Sequence, residues 1–65
     1  MRINLRERRT AAALSQENLA ERVGVSRQTI ISIERDRFDP SLNLAFRIAD
    51  SFGVSIEDVF FTERS

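Results

Sequence analysis

The stretch "QENLAERVGVSRQTIISIER", residues 16–35, decides the fold. Leu19, Ala20 and Val23 are spaced i, i+1, i+4, which places them on one side of a helix. Gly24 interrupts that pattern, and glycine supplies the left-handed backbone that ends helices. Ser26 is suited to cap a second helix, whose buried stripe is Ile30 and Ile33. The spacing therefore predicts helices over about Gln16 to Val23 and about Arg27 to Arg35, joined by "GVS" alone. A glycine-containing turn this short packs two helices steeply and leaves one face of the second uncovered.

That uncovered face is polar. On a 100° wheel Gln28 and Ser32 lie opposite Ile30 and Ile33, with Arg27 at the helix tip, so the first turn points Arg27, Gln28 and Thr29 outward. In a helix-turn-helix, the front of the second helix enters the major groove of DNA. Arg pairs there with guanine O6 and N7, and Gln with adenine N6 and N7. Ile31 also faces outward and suits contact with a thymine methyl.

Outward from this stretch the chain reads as helical throughout. A first, Arg-rich helix is expected from Arg2 to about Ala13, with Ile3, Leu5, Ala12 and Ala13 as its apolar positions. Ser15 caps the second helix, and Glu17 sits in its first turn, where the dipole favours an acid. Asp39-Pro40 breaks the pattern, because the residue before proline avoids the helical region. Ser41 caps a fourth helix, Leu42 to Phe52, and Gly53 ends it. Seven of those eleven residues are apolar, a band too wide for one core face, so this helix is expected to be central or to lie at an interface. Ser55 to Asp58 fits the [ST]-x-x-[DE] capping pattern and opens a short fifth helix through Val59, Phe60 and as far as Phe61. The polar tail, Thr62 to Ser65, is expected to fray. The fold class expected is all-α, one compact five-helix domain over residues 1–65.

Composition narrows the function. With 65 residues the core is small. No Cys and no His means no disulfide framework, no usual zinc site and no His-based triad. Ser15, Ser26, Ser41 and Ser55 read as caps, since a serine nucleophile needs a base. Glu57 and Asp58 fall in a helix first turn, where the dipole explains them without a metal. No run has the length of a membrane span, and no apolar run follows the N-terminal arginines as in a signal peptide. An enzyme, a cofactor, a metal, a membrane partner and a small-molecule effector are therefore not expected, and a cytoplasmic location is. The net charge is zero but unevenly spread. Residues 1–37 hold eight arginines against five acids, and residues 38–65 hold two against five. All ten cations are Arg, which suits bidentate recognition of phosphates and guanine.

From about Asn4 to Phe60 the chain resembles the Xre-type helix-turn-helix regulators, the phage-repressor and Cro-like class. "LSQ", "GVS", "SRQTI", "IER", "PSL" and "GVSIEDVF" stand at that family's spacings. The resemblance implies a five-helix domain that binds operator DNA as a dimer. It implies a phosphate contact at Gln16, and base or phosphate contacts at Ser26, Arg27, Gln28 and Ser32. It further implies backbone contacts at Arg35 and Arg37, and a structural pair between Arg9 and Glu34. The chain departs from the family pattern at four places: Ala13 and Asp36 replace glycines, Arg8 a leucine, and Ile31 a polar residue.

Phe46, Phe60 and Phe61, with the wide apolar band of the fourth helix, are the expected dimer patch. The sequence reading is thus a sequence-specific, homodimeric DNA-binding repressor. Two other functions compete with it. An antitoxin would carry a toxin-binding extension, and few residues follow Phe60. A protein-interaction module that has lost DNA binding would fit the zero net charge, but the intact Gln16 and Arg27-Gln28 oppose it.

Overall fold

The computed structural model describes residues 2–61, with Arg2 described for its backbone alone. Among these residues, five helices and one two-stranded ribbon follow in order. They are β1 (Arg2–Ile3), α1 (Leu5–Ala11), α2 (Gln16–Val23), α3 (Arg27–Glu34), α4 (Leu42–Ser51), α5 (Ile56–Val59) and β2 (Phe60–Phe61).

The helix starts follow the serines. The hydroxyls of Ser15, Ser26 and Ser41 accept the backbone N–H groups of Asn18, Thr29 and Leu44 at 3.0, 3.2 and 3.2 Å. At α5 the Asp58 carboxylate accepts from both the Ser55 N–H (3.1 Å) and the Ser55 hydroxyl (2.9 Å). Those two bonds hold the Asp58 carboxyl below its ordinary pKa, with the positive charge of Arg8 a smaller contribution.

Helices α1, α3 and α4 end in one shared motif. In each, a residue with left-handed backbone donates its N–H back along the last turn, and the next residue's N–H reaches one carbonyl further. At α4 the left-handed residue is Gly53 (φ 68°). At α1 it is Ala13 and at α3 it is Asp36, both at φ 58°, where a Cβ crowds the following carbonyl. The two glycines missing from the sequence pattern are thus missing where the backbone asks for them.

The core joins every helix. Leu5, Leu19, Ile30, Ile33, Ile48 and Val59 are fully buried, with Ala20, Val23, Leu44, Ala45, Ala49 and Phe60 around them. Burying each of the larger side chains is worth about 1.5–3 kcal/mol. Helix α4 contributes four of these residues but leaves Leu42 and Phe46 in solvent, so it is both central and exposed, as its wide apolar band implied.

Helix boundaries differ from the sequence reading at several places, the end of α4 at Ser51 rather than Phe52 being among the smallest. The first helix begins at Leu5 rather than Arg2, because Arg2 and Ile3 pair antiparallel with Phe61 and Phe60. The Asn4 N–H, bonded to the Val59 carbonyl at 3.1 Å, closes the same junction. The fifth helix stops at Val59, and Phe60 is extended (φ −117°, ψ 112°). Two adjacent aromatics favour strand over helix once a partner strand is present. Ala12 and Ala13, expected within the first helix, follow its end at Ala11 and are exposed. Arg8, standing where a leucine was expected, is half-buried and extends its Nε to the Asp58 carbonyl (3.3 Å), so its stem covers apolar surface while its head finds an acceptor. The tail expected to fray lies outside the described residues.

Candidate nucleic-acid interface

The steep packing of α2 on α3 leaves a cleft of about 560 Å³ between the front of α2, the outer side of α3 and helix α1. Gln16, Arg27 and Arg35 meet there, joined by Arg6 from α1. Gln16 is the first residue of α2, so its backbone N–H has no partner within the helix and the dipole there favours an anion. Arg27 occupies the same position on α3 and is exposed.

A buried ion pair forms the floor of this cleft. Arg9 Nε donates to Glu34 Oε2 at 2.7 Å, and Arg9 Nη2 donates to Oε1 at 3.3 Å. The two side chains are 11% and 4% exposed. Arg9 Nη1 also donates to the Leu14 carbonyl (2.9 Å), and Gln16 Nε2 donates to Glu34 Oε1 (3.1 Å). One carboxylate therefore takes three N–H donors and ties α1, the α1–α2 turn, α2 and α3 together. The expected Arg9–Glu34 pair is present. The bond from Gln16 was not anticipated, since a contact across 18 residues leaves no local pattern in the sequence.

The remaining expected contacts sit around the cleft rather than in it. Gln28 and Ser26 are exposed on α3 and its cap, and Ser32 is half-buried. Arg37 is exposed in the loop after α3, its own N–H donated to the Ser32 carbonyl (2.9 Å). Thr29 differs from expectation. It is half-buried and its hydroxyl lies 3.0 Å from that of Ser26, because residues three apart face each other across the cap. The outward set at the front of α3 is thus Arg27 and Gln28. Arg6 escaped the sequence reading, although four arginines in the first nine residues mark that segment as basic.

A second surface is apolar. Leu42 (67% exposed) and Phe46 (47%) lie one turn apart on α4, beside a groove lined by Pro40, Ala45, Ile56 and Phe60. Phe60, expected in the dimer patch, belongs to the core at 9% exposure and lines the groove. Phe61 is half-buried. Leu42, the most exposed large apolar side chain among the described residues, was not singled out from the sequence.

The two helices, their three-residue turn and the cationic, amide-lined cleft define a helix-turn-helix DNA-binding domain. The helix-turn-helix family pattern matches residues 5–59. An uncharacterised HTH-type transcriptional regulator of Methanocaldococcus jannaschii is 56% identical over 63 residues, which is 97% of this chain and 96% of that protein. The uncharacterised HTH-type transcriptional regulator YgzD of Bacillus subtilis is 44% identical over 63 residues, with the same coverage of each. Among solved structures, the restriction-modification controller protein C.AhdI from Aeromonas hydrophila superposes with a TM-score of 0.81 at 36% identity, over 86% of this chain and 85% of that one. The clp gene regulator ClgR from Corynebacterium glutamicum does so with a TM-score of 0.78 at 30% identity, over 83% of this chain, which spans 57% of ClgR. The chain belongs to the Xre-type helix-turn-helix family of DNA-binding transcriptional regulators, which are not enzymes. No helix among the described residues is long and apolar enough to cross a membrane.

Proposed function

We propose that this chain acts as a homodimeric, sequence-specific repressor in the cytoplasm, with residues 1–65 forming one DNA-binding domain. The observation that carries the reading is the convergence of Gln16, Arg27 and Arg35 on one cleft, with Gln28 free beside it. The side chain and first-turn N–H of Gln16, with the guanidinium of Arg35, hold phosphates of one strand. Arg37, in the loop beyond, grips the same backbone. Arg27 and Gln28 at the front of α3 then face the base edges, where each pairs bidentately with one base. Ser26 and Ser32 border this contact. The Arg9–Glu34–Gln16 network sets the depth and angle of α3 before DNA arrives, so little ordering is left for binding to pay.

Two such domains related by a two-fold axis present their α3 helices to half-sites about 34 Å apart. Leu42, Phe46 and the neighbouring groove form a surface that such an axis can cover. Occupancy of the operator then blocks polymerase. The test is binding of wild type, Arg27→Ala and Gln16→Ala to a selected operator and to random duplex DNA. Arg27→Ala is expected to lose binding on the operator alone, and Gln16→Ala on both DNAs alike. Equal losses on both DNAs for Arg27→Ala would remove its base-reading role.

A further inference from the structure

Ile31 lines the cleft without belonging to the core, and no hydrogen bond or ion pair accounts for its side chain. Its neighbours Ile30 and Ile33 are fully buried. Ile31 is half-buried yet is not among the residues of the core or those packed against it. What shields it is the cleft, and every other residue lining that cleft is charged or polar. Folding does not call for an isoleucine here. A β-branched residue on an outer helix face has a lower helix propensity than Ala, Arg or Gln, and this one leaves apolar surface in a polar cavity.

The position carries more information than the burial. Ile31 follows Arg27 by one helical turn and precedes Arg35 by one turn, so all three lie along one side of α3. Arg27 and Arg35 border the same cleft. With those two cations held on DNA, the side chain between them is pressed against the wall or floor of the major groove. The groove floor offers one apolar group, the C5 methyl of a pyrimidine, which thymine carries and ordinary cytosine lacks. Ser32, next along the helix, is small and leaves room for such an approach.

We infer that Ile31 reads a pyrimidine 5-methyl group, so that each half-site contains one position where the methyl itself contributes to specificity. Thymine is the expected source, and 5-methylcytosine presents the same group. This inference rests on the DNA-binding reading of the cleft. It adds a contact of a different kind from the hydrogen-bonding contacts of Arg27 and Gln28.

The experiment uses an operator selected from random DNA by the wild-type protein. Each dT is replaced in turn by dU, which removes the methyl and leaves every hydrogen-bonding group in place. At the sensitive position, a G·C pair with and without a cytosine 5-methyl is tested as well. One dT per half-site is expected to lose about fourfold on conversion to dU with the wild type, the worth of one buried methyl. The same conversion is expected to leave Ile31→Ala unchanged, and Ile31→Val to keep the sensitivity. A gain with 5-methylcytosine over cytosine at that position would show that the methyl is read on either base. Equal dU penalties for wild type and Ile31→Ala, with operator binding intact, would overturn this inference alone. Selection of no operator at all would overturn the DNA-binding reading with it. Circular dichroism of the two variants separates lost methyl reading from lost folding, since Ile31 lies outside the core.

Discussion

The α1–α2–α3 face and the α4–α5 face of this small domain solve opposite problems. The first gathers arginines from α1 and α3 around a cleft whose buried carboxylate, Glu34, holds Arg9 and Gln16. The second leaves Leu42 and Phe46 in solvent beside a mostly apolar groove whose one charged lining residue is Glu57. A chain of zero net charge would show little of either property if its charges were mixed. Segregation puts the arginine excess in residues 1–37 and gives a cationic surface suited to a polyanion, while the wide apolar band of α4 supplies a surface suited to a second protein. On the proposed reading, DNA contact and self-association fall on separate surfaces, so substitutions should separate them.

The largest effect is expected from breaking the support under the cationic face. Glu34→Ala leaves the Arg9 guanidinium, 11% exposed, without its counter-charge and frees Gln16. The expected loss is about 3–5 kcal/mol of stability, read from urea unfolding. A loss below about 1 kcal/mol would mean that water replaces the carboxylate and that the network does not position α3. Next comes the opposite face. Phe46→Asp places a charge on the proposed two-fold contact twice over, and is expected to weaken self-association by about 2 kcal/mol, roughly thirtyfold, in sedimentation equilibrium. Half-site binding by the monomer should survive; its loss would show that the two faces are not separate.

Arg27→Ala is expected to cost about 1–3 kcal/mol on operator DNA and to relax preference at one position, while the dimer stays intact. Ala13→Gly follows at about 1 kcal/mol, this time as a gain in stability, because glycine removes the Cβ from a left-handed position. Asp36→Gly removes the same strain in a loop next to Arg35 and Arg37, so it should also strengthen binding to any duplex. If Ala13→Gly raises the unfolding midpoint and Asp36→Gly changes only the salt dependence, then the aspartate tolerates the conformation, as Asp does more readily than Ala.

The smallest effect lies at the seam between the faces, where Arg8 of α1 meets α5. The Asp58 carboxyl has a lowered pKa, so its ionised form supports the fold at neutral pH. That support is lost as the pH falls from the ordinary Asp value through the lowered one. The stability gap between wild type and Asp58→Asn, measured by urea at a series of pH values, should therefore shrink on acidification. A gap that stays constant would place the role of Asp58 in its hydrogen-bonding shape rather than its charge.

What was legible in the sequence was whatever short-range rules govern. Four serines and two glycines mark helix ends because caps act within three or four residues. Ile30 and Ile33 mark the buried side of α3 because a helix repeats every 3.6 residues. Ala13 and Asp36 could be flagged as misplaced because the family pattern puts glycine at both, and the structure supplies the reason in their positive φ. What was not legible depends on residues far apart in the chain. Arg2–Ile3 reads as helix until Phe60–Phe61 is beside it. Gln16 reads as a free phosphate ligand until α3 brings Glu34 within 3.1 Å of its amide. Thr29 reads as outward until the Ser26 cap claims its hydroxyl.

The central claim is that the front of α3 reads base edges in a duplex. It is tested most directly by selecting binding sites from random double-stranded DNA with the wild-type protein. The account predicts enrichment of a two-fold-related motif with half-site centres about one helical turn, roughly 34 Å, apart. Retention of DNA with no enriched motif would mean that the cleft grips phosphates alone, and would contradict it.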